Sequence, residues 1–256
     1  MNFNVELARK LVEAVFSEMP EDYQFGPQAN YECEPVNLDN IIEAVCRIDV
    51  EAKVRYGISK LVIISQNLGN YVIKIPFNGM YIESDEEDEI YHRSNSYASN
   101  YNAPPVYKIE WCDYSNADSL TGWNYCDAEW KKYCSLKAVH LDCFVSKTYP
   151  FVTVKGFKCF IQEVAIAKRY HEDEEDEEIS EKSFNKAKSL NDEYDTYIDA
   201  AWLALCVEKF GAGKVEKFLK YVTTIDAEII NDLHGGNYGV RPNGTPCILD
   251  FASFNS

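Results

Sequence analysis

The stretch Asn231-Asp232-Leu233-His234-Gly235-Gly236-Asn237-Tyr238-Gly239, followed by Ile248-Leu249-Asp250-Phe251-Ala252, decides the reading of this chain. An acid, two glycines and a carboxamide in close succession suit a tight turn. The runs Tyr238-Gly239-Val240 and Cys247-Ile248-Leu249, joined by Pro242-Asn243-Gly244, predict a small hairpin directly after that turn. A loop returned by a hairpin delivers Asp232, Asn237 and Asp250 to one neighbourhood. Oxygen donors grouped in this way suit a hard cation.

Asp232 and Asn237 are five residues apart, Asp250 follows Asn237 by thirteen, and Asp250 opens a D-F-A triplet. This pattern resembles the catalytic loop and D-F-G segment of protein kinases. The D-L-H-G-G-N form also resembles the loop of aminoglycoside-kinase-type phosphotransferases and of the short kinases carried by tailed bacteriophages. The resemblance implies that Asp232 orients or deprotonates the acceptor, that Asn237 and Asp250 hold metal, and that ATP and Mg2+ are the cofactors.

Upstream, Tyr71-Val72-Ile73-Lys74-Ile75-Pro76 resembles the V-A-I-K strand, whose lysine contacts the α- and β-phosphates. In kinases that lysine pairs with a glutamate on the following helix. Here the resemblance gives the part to Glu129, on a helix expected from about Trp123 to Leu136, with Asp127 as the alternative. Cys159 to Ala165 resembles the last sheet strand entering a hinge, whose backbone at Glu163 and Ala165 would meet an adenine edge. A glycine-rich loop is missing. The turn Tyr56-Gly57-Ile58-Ser59-Lys60 stands in its place, with Ser59 or Lys60 expected on phosphate.

Working outward, Leu7, Ala8, Leu11, Val12, Val15, Phe16 and Met19 recur at helical spacing, and a second helix is expected from about Leu38 to Lys53. Leu61 to Ile64 and Tyr71 to Ile75 read as a hairpin. The polar stretch from about Met80 to Leu120 reads as a solvated insertion, and the acidic run His171 to Glu178 as a tip. Strands are expected near Phe144 to Lys147, Phe151 to Val154 and Cys159 to Val164. Helices are expected over Tyr194 to Phe210 and Val215 to Ile230.

The expected fold is α+β, protein-kinase-like and two-lobed, with an antiparallel β-rich N-lobe and a truncated, mainly helical C-lobe. Residues 1–55 would form a helical extension, 56–167 the N-lobe with its insertion, and 168–256 the acidic tip and a minimal C-lobe. The chain closes six residues after Asp250, which is what makes that C-lobe minimal.

A net charge of −17 repels phosphate backbones and acidic membrane surfaces, so neither nucleic acid nor membrane is an expected partner. Nine scattered cysteines without a C-x-x-C pair read as reduced thiols of a cytoplasmic protein, in the host cytoplasm if the chain is phage-encoded. The expected partners are a nucleotide and a protein substrate or target. The leading expectation is a Mg-ATP-dependent phosphotransferase, a phage-type protein kinase acting on host proteins, with a small-molecule acceptor left open. The alternative is a pseudokinase-like interaction protein that inhibits a host or defence factor through its acidic surface. A third reading, an acidic DNA mimic, rests on charge alone.

Overall fold

The chain divides into two units, each built from two separate stretches of sequence. One unit comprises Met1–Ala128 with Tyr149–Gln162, the other Glu129–Thr148 with Glu163–Ser256. The computed structural model describes residues 3–19, 36–56, 60–76, 80–84, 90–93, 106–108, 125–167, 179–224, 233 and 237–251. Over these the architecture is mixed α+β.

In the first unit, helix α1 (Val5–Ser17) starts where the Asn4 side chain accepts the Leu7 N–H at 3.1 Å, and it buries Leu11, Val12, Val15 and Phe16. Helix α2 (Leu38–Ile48) buries Leu38, Ile41, Ala44 and Val45. Strand β1 (Val36–Asn37) precedes α2, and β2 (Lys53–Tyr56), β3 (Lys60–Ile64) and β4 (Tyr71–Pro76) follow it. With β8 (Thr148–Val154) and β9 (Phe157–Glu163) they build a five-stranded sheet in the order β2-β3-β4-β9-β8. The buried faces of α1 and α2 share one apolar core with Leu61, Ile63, Ile73, Ile75, Cys159 and Ile161 of this sheet.

Helix α2 ends at Ile48, short of the Lys53 that periodicity suggested. Asp49 turns the chain. Its carboxylate accepts from Ser65 Oγ at 2.5 Å, Asn67 Nδ2 at 2.8 Å and the Glu51 N–H at 3.1 Å, which fixes a turn and releases Lys53 into β2. Burial by itself would raise the Asp49 carboxyl, but the three donors outweigh it and hold it below the ordinary aspartate range. A carboxyl lowered in the folded state adds stability above its unfolded pKa and loses it as the pH falls through the folded value. Urea denaturation should therefore show wild type losing stability more steeply than Asp49→Asn below about pH 4. Identical acid slopes would contradict this.

The β8/β9 hairpin turns on Lys155 and Gly156, both at positive φ (49° and 86°), the geometry of a two-residue primed turn. Lys155 Nζ donates to Phe16 O at 3.2 Å, placing a cation on an end carbonyl of α1. The polar stretch after Met80 departs from expectation. It contains β5 (Met80–Ser84), β6 (Ile90–Arg93) and β7 (Val106–Lys108), which join β1 in a second sheet of order β1-β7-β5-β6. The β-branched and aromatic residues of these short runs support strands, but the intervening Asn, Ser and acidic residues dilute the pattern.

Helix α3 (Tyr125–Ala138) contains the division between the units, at Ala128/Glu129. Beyond it no strand forms over Phe144–Lys147. A 3-10 turn occupies Asp142–Phe144, and Val145 makes only an isolated parallel bridge to Ile248. Phe144 is the reason: its ring stacks on Phe218 at 4.3 Å and meets Phe210 edge-on at 4.8 Å, and this burial overrides local strand propensity.

The second unit is otherwise helical: α4 (Glu181–Tyr194), α5 (Ala200–Phe210) and α6 (Ala212–Thr224), each packed against the other two. Helix α4 was not among the expected helices, and the one expected from Tyr194 to Phe210 begins only at Ala200, because side chains compete for the backbone before it. Asp195 takes a left-handed φ of 50°, and Asn191 bonds both Thr196 Oγ1 and Ile198 O at 2.7 Å. Asp199 then caps α5 through the Trp202 N–H at 2.8 Å. Helix α6 ends at Thr224; the rest of the expected Val215 to Ile230 helix, and the acidic run His171 to Glu178, lie outside the described residues. Strands β10 (Ile166–Ala167), β11 (Tyr238–Val240) and β12 (Pro246–Ile248) form a small third sheet in that order. No helix among the described residues is long and apolar enough to cross a membrane.

Candidate functional site

The hairpin that the sequence singles out is present, and its register is informative. Tyr238 pairs with Ile248, Gly239 with Cys247 and Val240 with Pro246, and the Arg241 N–H donates to Thr245 O at 2.8 Å beside the turn at Gly244. Continued towards the open end, this register sets Asn237 opposite Leu249. The Leu249 N–H donates to Asn237 O at 2.7 Å. Asn237 and Asp250 therefore emerge at the same end of one hairpin, with the peptide next to Asp250 bonded to Asn237 itself. Asn237 is buried and Asp250 half-buried. A carboxamide and a carboxylate in this arrangement offer hard oxygen donors of the kind Mg2+ takes. Asp232, His234, Gly235 and Gly236 lie outside the described residues.

Gly239 tolerates no side chain. A Cβ there would lie 2.7 Å from Ile166 O and 3.0 Å from Leu249 Cδ1, so the absence of a side chain lets β10 approach β11 closely.

Sequence reasoning passed over Arg241, which holds this hairpin in place. Buried at 8% exposure, its Nε donates to Glu163 Oε2 at 2.9 Å. Nη1 donates to Cys143 O at 3.1 Å and Pro246 O at 3.0 Å, and Nη2 to Val145 O at 2.6 Å. One planar guanidinium thus joins the hairpin, the Phe144 segment and the end of β9. Glu163, expected to offer backbone to an adenine, has its side chain committed to Arg241 and, at 3.7 Å, to Lys147. Its N–H donates to Lys147 O at 2.8 Å, so any contact with a ligand through its backbone falls to its carbonyl. Ala165 is half-buried in the connection from β9 to β10. The sequence signal for Arg241 was present but faint: a lone arginine directly before a hairpin turn.

In the first unit Lys74 lies on β4, in register with Val62 of β3, and is 4% exposed; every residue of β4 is buried. A buried ammonium is costly unless opposite charge or acceptors compensate it. Because β4 lies beside β9, the lysine strand neighbours the strand that runs to Glu163. Lys60 opens β3 opposite Pro76 and is also buried, while Ser59, Gly57 and Ile58 of the same turn lie outside the described residues.

Asp127 and Glu129, the two acids offered for the helix part, differ in their surroundings. Asp127 Oδ1 accepts from Lys158 Nζ of β9 at 2.6 Å, an ion pair that ties the first turn of α3 to the sheet. Glu129, two residues on and so about 200° round the helix, is 0% exposed. A fully buried carboxylate, like the buried lysine, demands compensation.

None of the seven described cysteines is in a disulfide. Burial pushes the Cys159 thiol up to about 12 and raises those of Cys206, Cys247 and Cys143 as well, so none of these four is primed as a nucleophile. Comparison of the chain with protein-family models, curated proteins and solved structures returned no match.

Proposed function

We propose that this protein is a Mg-ATP-dependent phosphotransferase with a kinase-like arrangement of parts, transferring phosphate to a hydroxyl acceptor. The observation that carries the reading is the Asn237 O to Leu249 N–H bond of 2.7 Å, which brings an amide and a carboxylate to one end of a hairpin immediately after Asp232 in sequence. On this reading Asn237 and Asp250 hold Mg2+, Asp232 orients or deprotonates the acceptor, and Lys74 neutralises phosphate charge. Two further features support it. Buried charges of opposite sign, Lys74 and Glu129, occur at the positions where the resemblance asks for a lysine and its helix glutamate. The strand bearing Lys74 is central in its sheet and adjacent to the strand leading to Glu163 and Ala165, the residues read as facing an adenine.

As a phage-type enzyme the protein would act on host proteins in the host cytoplasm. The expected result is a rise in melting temperature of several degrees with saturating Mg-ATP, since ligand at a hundred times its Kd adds about 2.7 kcal/mol. EDTA should abolish the rise. Transfer of labelled γ-phosphate to protein or small-molecule acceptors would then distinguish an enzyme from a pseudokinase-like module that only holds nucleotide. Absence of any shift at millimolar Mg-ATP would overturn the nucleotide reading.

A further inference from the structure

The last turn of α4 and its link to α5 carry two features that packing does not explain. The first is Tyr197, which is 94% exposed, more than any other large hydrophobic among the described residues. Its backbone is nevertheless fixed. Thr196 and Ile198 on either side are buried, and Asn191 holds both: the Thr196 N–H donates to Asn191 O at 3.0 Å, Thr196 Oγ1 to Asn191 Oδ1 at 2.7 Å, and Asn191 Nδ2 to Ile198 O at 2.7 Å. With both neighbours anchored inward, the ring is presented to solvent on a rigid support, the way binding surfaces present an aromatic anchor at low entropic cost.

The second feature is charge. Asp192, Glu193 and Asp195 are exposed at the C-terminal end of α4, where the helix dipole is negative and the last turn has no basic side chain. Carboxylates are disfavoured there. Among the described residues none of the three is in an ion pair. Lys188, one turn before Asp192, is directed elsewhere, with its Nζ 4.6 Å from the centroid of the Phe184 ring. Partial desolvation, and after it the carboxylates of Glu216 and Glu193, raise the phenol of the half-exposed Tyr194, so α6 adds a further acid beside a second aromatic. Local rules broken together at one place mark a functional surface rather than a packing solution.

We propose that Tyr197, with Tyr194 and the acids around them, is a docking surface for an arginine-bearing peptide segment of a partner protein. The chemistry selects that occupant. A guanidinium stacks on an aromatic face and bonds carboxylates through its fork, so aromatic and acidic groups side by side serve one cation. The net charge of −17 extends the attraction beyond contact and steers a cationic partner towards the chain. The surface lies wholly within the second unit, and its role is independent of phosphoryl transfer.

Fluorescence anisotropy of a short labelled peptide of alternating arginine and glycine, titrated with the full chain, should show binding that weakens as salt rises. Tyr197→Ala should weaken it about tenfold, and Tyr197→Phe by less than about twofold because the ring face is kept. Asp192→Asn, Glu193→Gln and Asp195→Asn together should also weaken it about tenfold. Glu13→Gln, Glu43→Gln and Glu51→Gln together remove the same charge from exposed positions of the first unit, and should leave binding within about twofold. No binding at about 0.1 mM protein, unchanged binding in Tyr197→Ala, or equal losses in the two triple variants would each overturn the proposal. Binding of Ca2+ in place of the peptide, or a dimer that Tyr197→Ala dissociates in sedimentation, would overturn it too, giving the surface to a metal ion or to a second copy of the chain.

Discussion

Loss of phosphoryl transfer on the order of a thousandfold is expected from Asp250→Asn. The substitution preserves the shape of the side chain and removes its charge. Asn237 would then face the metal with an amide alone, and two neutral donors hold Mg2+ far less tightly than a carboxylate and an amide. Because Asp250 is half-buried at the open end of the hairpin, the ligand-free fold should melt within a few degrees of wild type, while the stabilisation by Mg-ATP should largely vanish. Asp232→Ala should separate the two proposed roles: transfer falls by a similar order, but the Mg-ATP shift survives, since on the proposed reading that carboxylate serves the acceptor. Equal labelling by wild type and both variants would sink the enzyme reading. Equal labelling by Asp250→Asn alone would remove Asp250 from the metal site.

The second large effect concerns stability. Arg241→Met should destabilise the second unit by about 3–5 kcal/mol, the range for removing one partner of a buried charge pair. The methionine fills much of the volume but leaves the Glu163 carboxylate without its buried cation. It also leaves the carbonyls of Cys143, Val145 and Pro246 without this donor. Arg241→Lys should recover little, because a single ammonium cannot reproduce a fork that reaches a carboxylate and three carbonyls at once. Pairing Arg241→Met with Glu163→Gln should cost less than the sum of the separate losses, since the orphaned charge is then gone. A loss below about 1 kcal/mol for Arg241→Met in urea denaturation would show that the network is not a major source of stability.

What could be read from the sequence and what could not divide along physical lines. The amphipathic α1, the β3/β4 hairpin and the β11/β12 hairpin each announce themselves through local period and turn residues, and each is present. Failures arose where a side chain competes with periodicity. Asp49 stops α2 through Ser65 and Asn67, both remote in sequence; Asn191 and Asp199 delay to Ala200 the helix expected from Tyr194; Phe144 is withdrawn from a strand by rings of α5 and α6. For the candidate site, residue types and spacing nominated Asn237 and Asp250, but only the register shows them at one end of the hairpin. Arg241 escaped notice because its contribution depends on partners brought together by the fold.

The order β2-β3-β4-β9-β8 has a consequence for how the protein is made. During synthesis β4 leaves the ribosome with β3, whereas its other neighbour, β9, lies beyond the second sheet and α3 in sequence. Until Phe157–Glu163 has emerged, β4 exposes an unpaired edge bearing Val72, Ile73 and Ile75, the kind of template that recruits foreign strands. Closing the sheet is a long-range event and therefore slow. The nascent chain consequently passes through an interval in which a strand destined for burial along its whole length is half-paired and open to foreign strands.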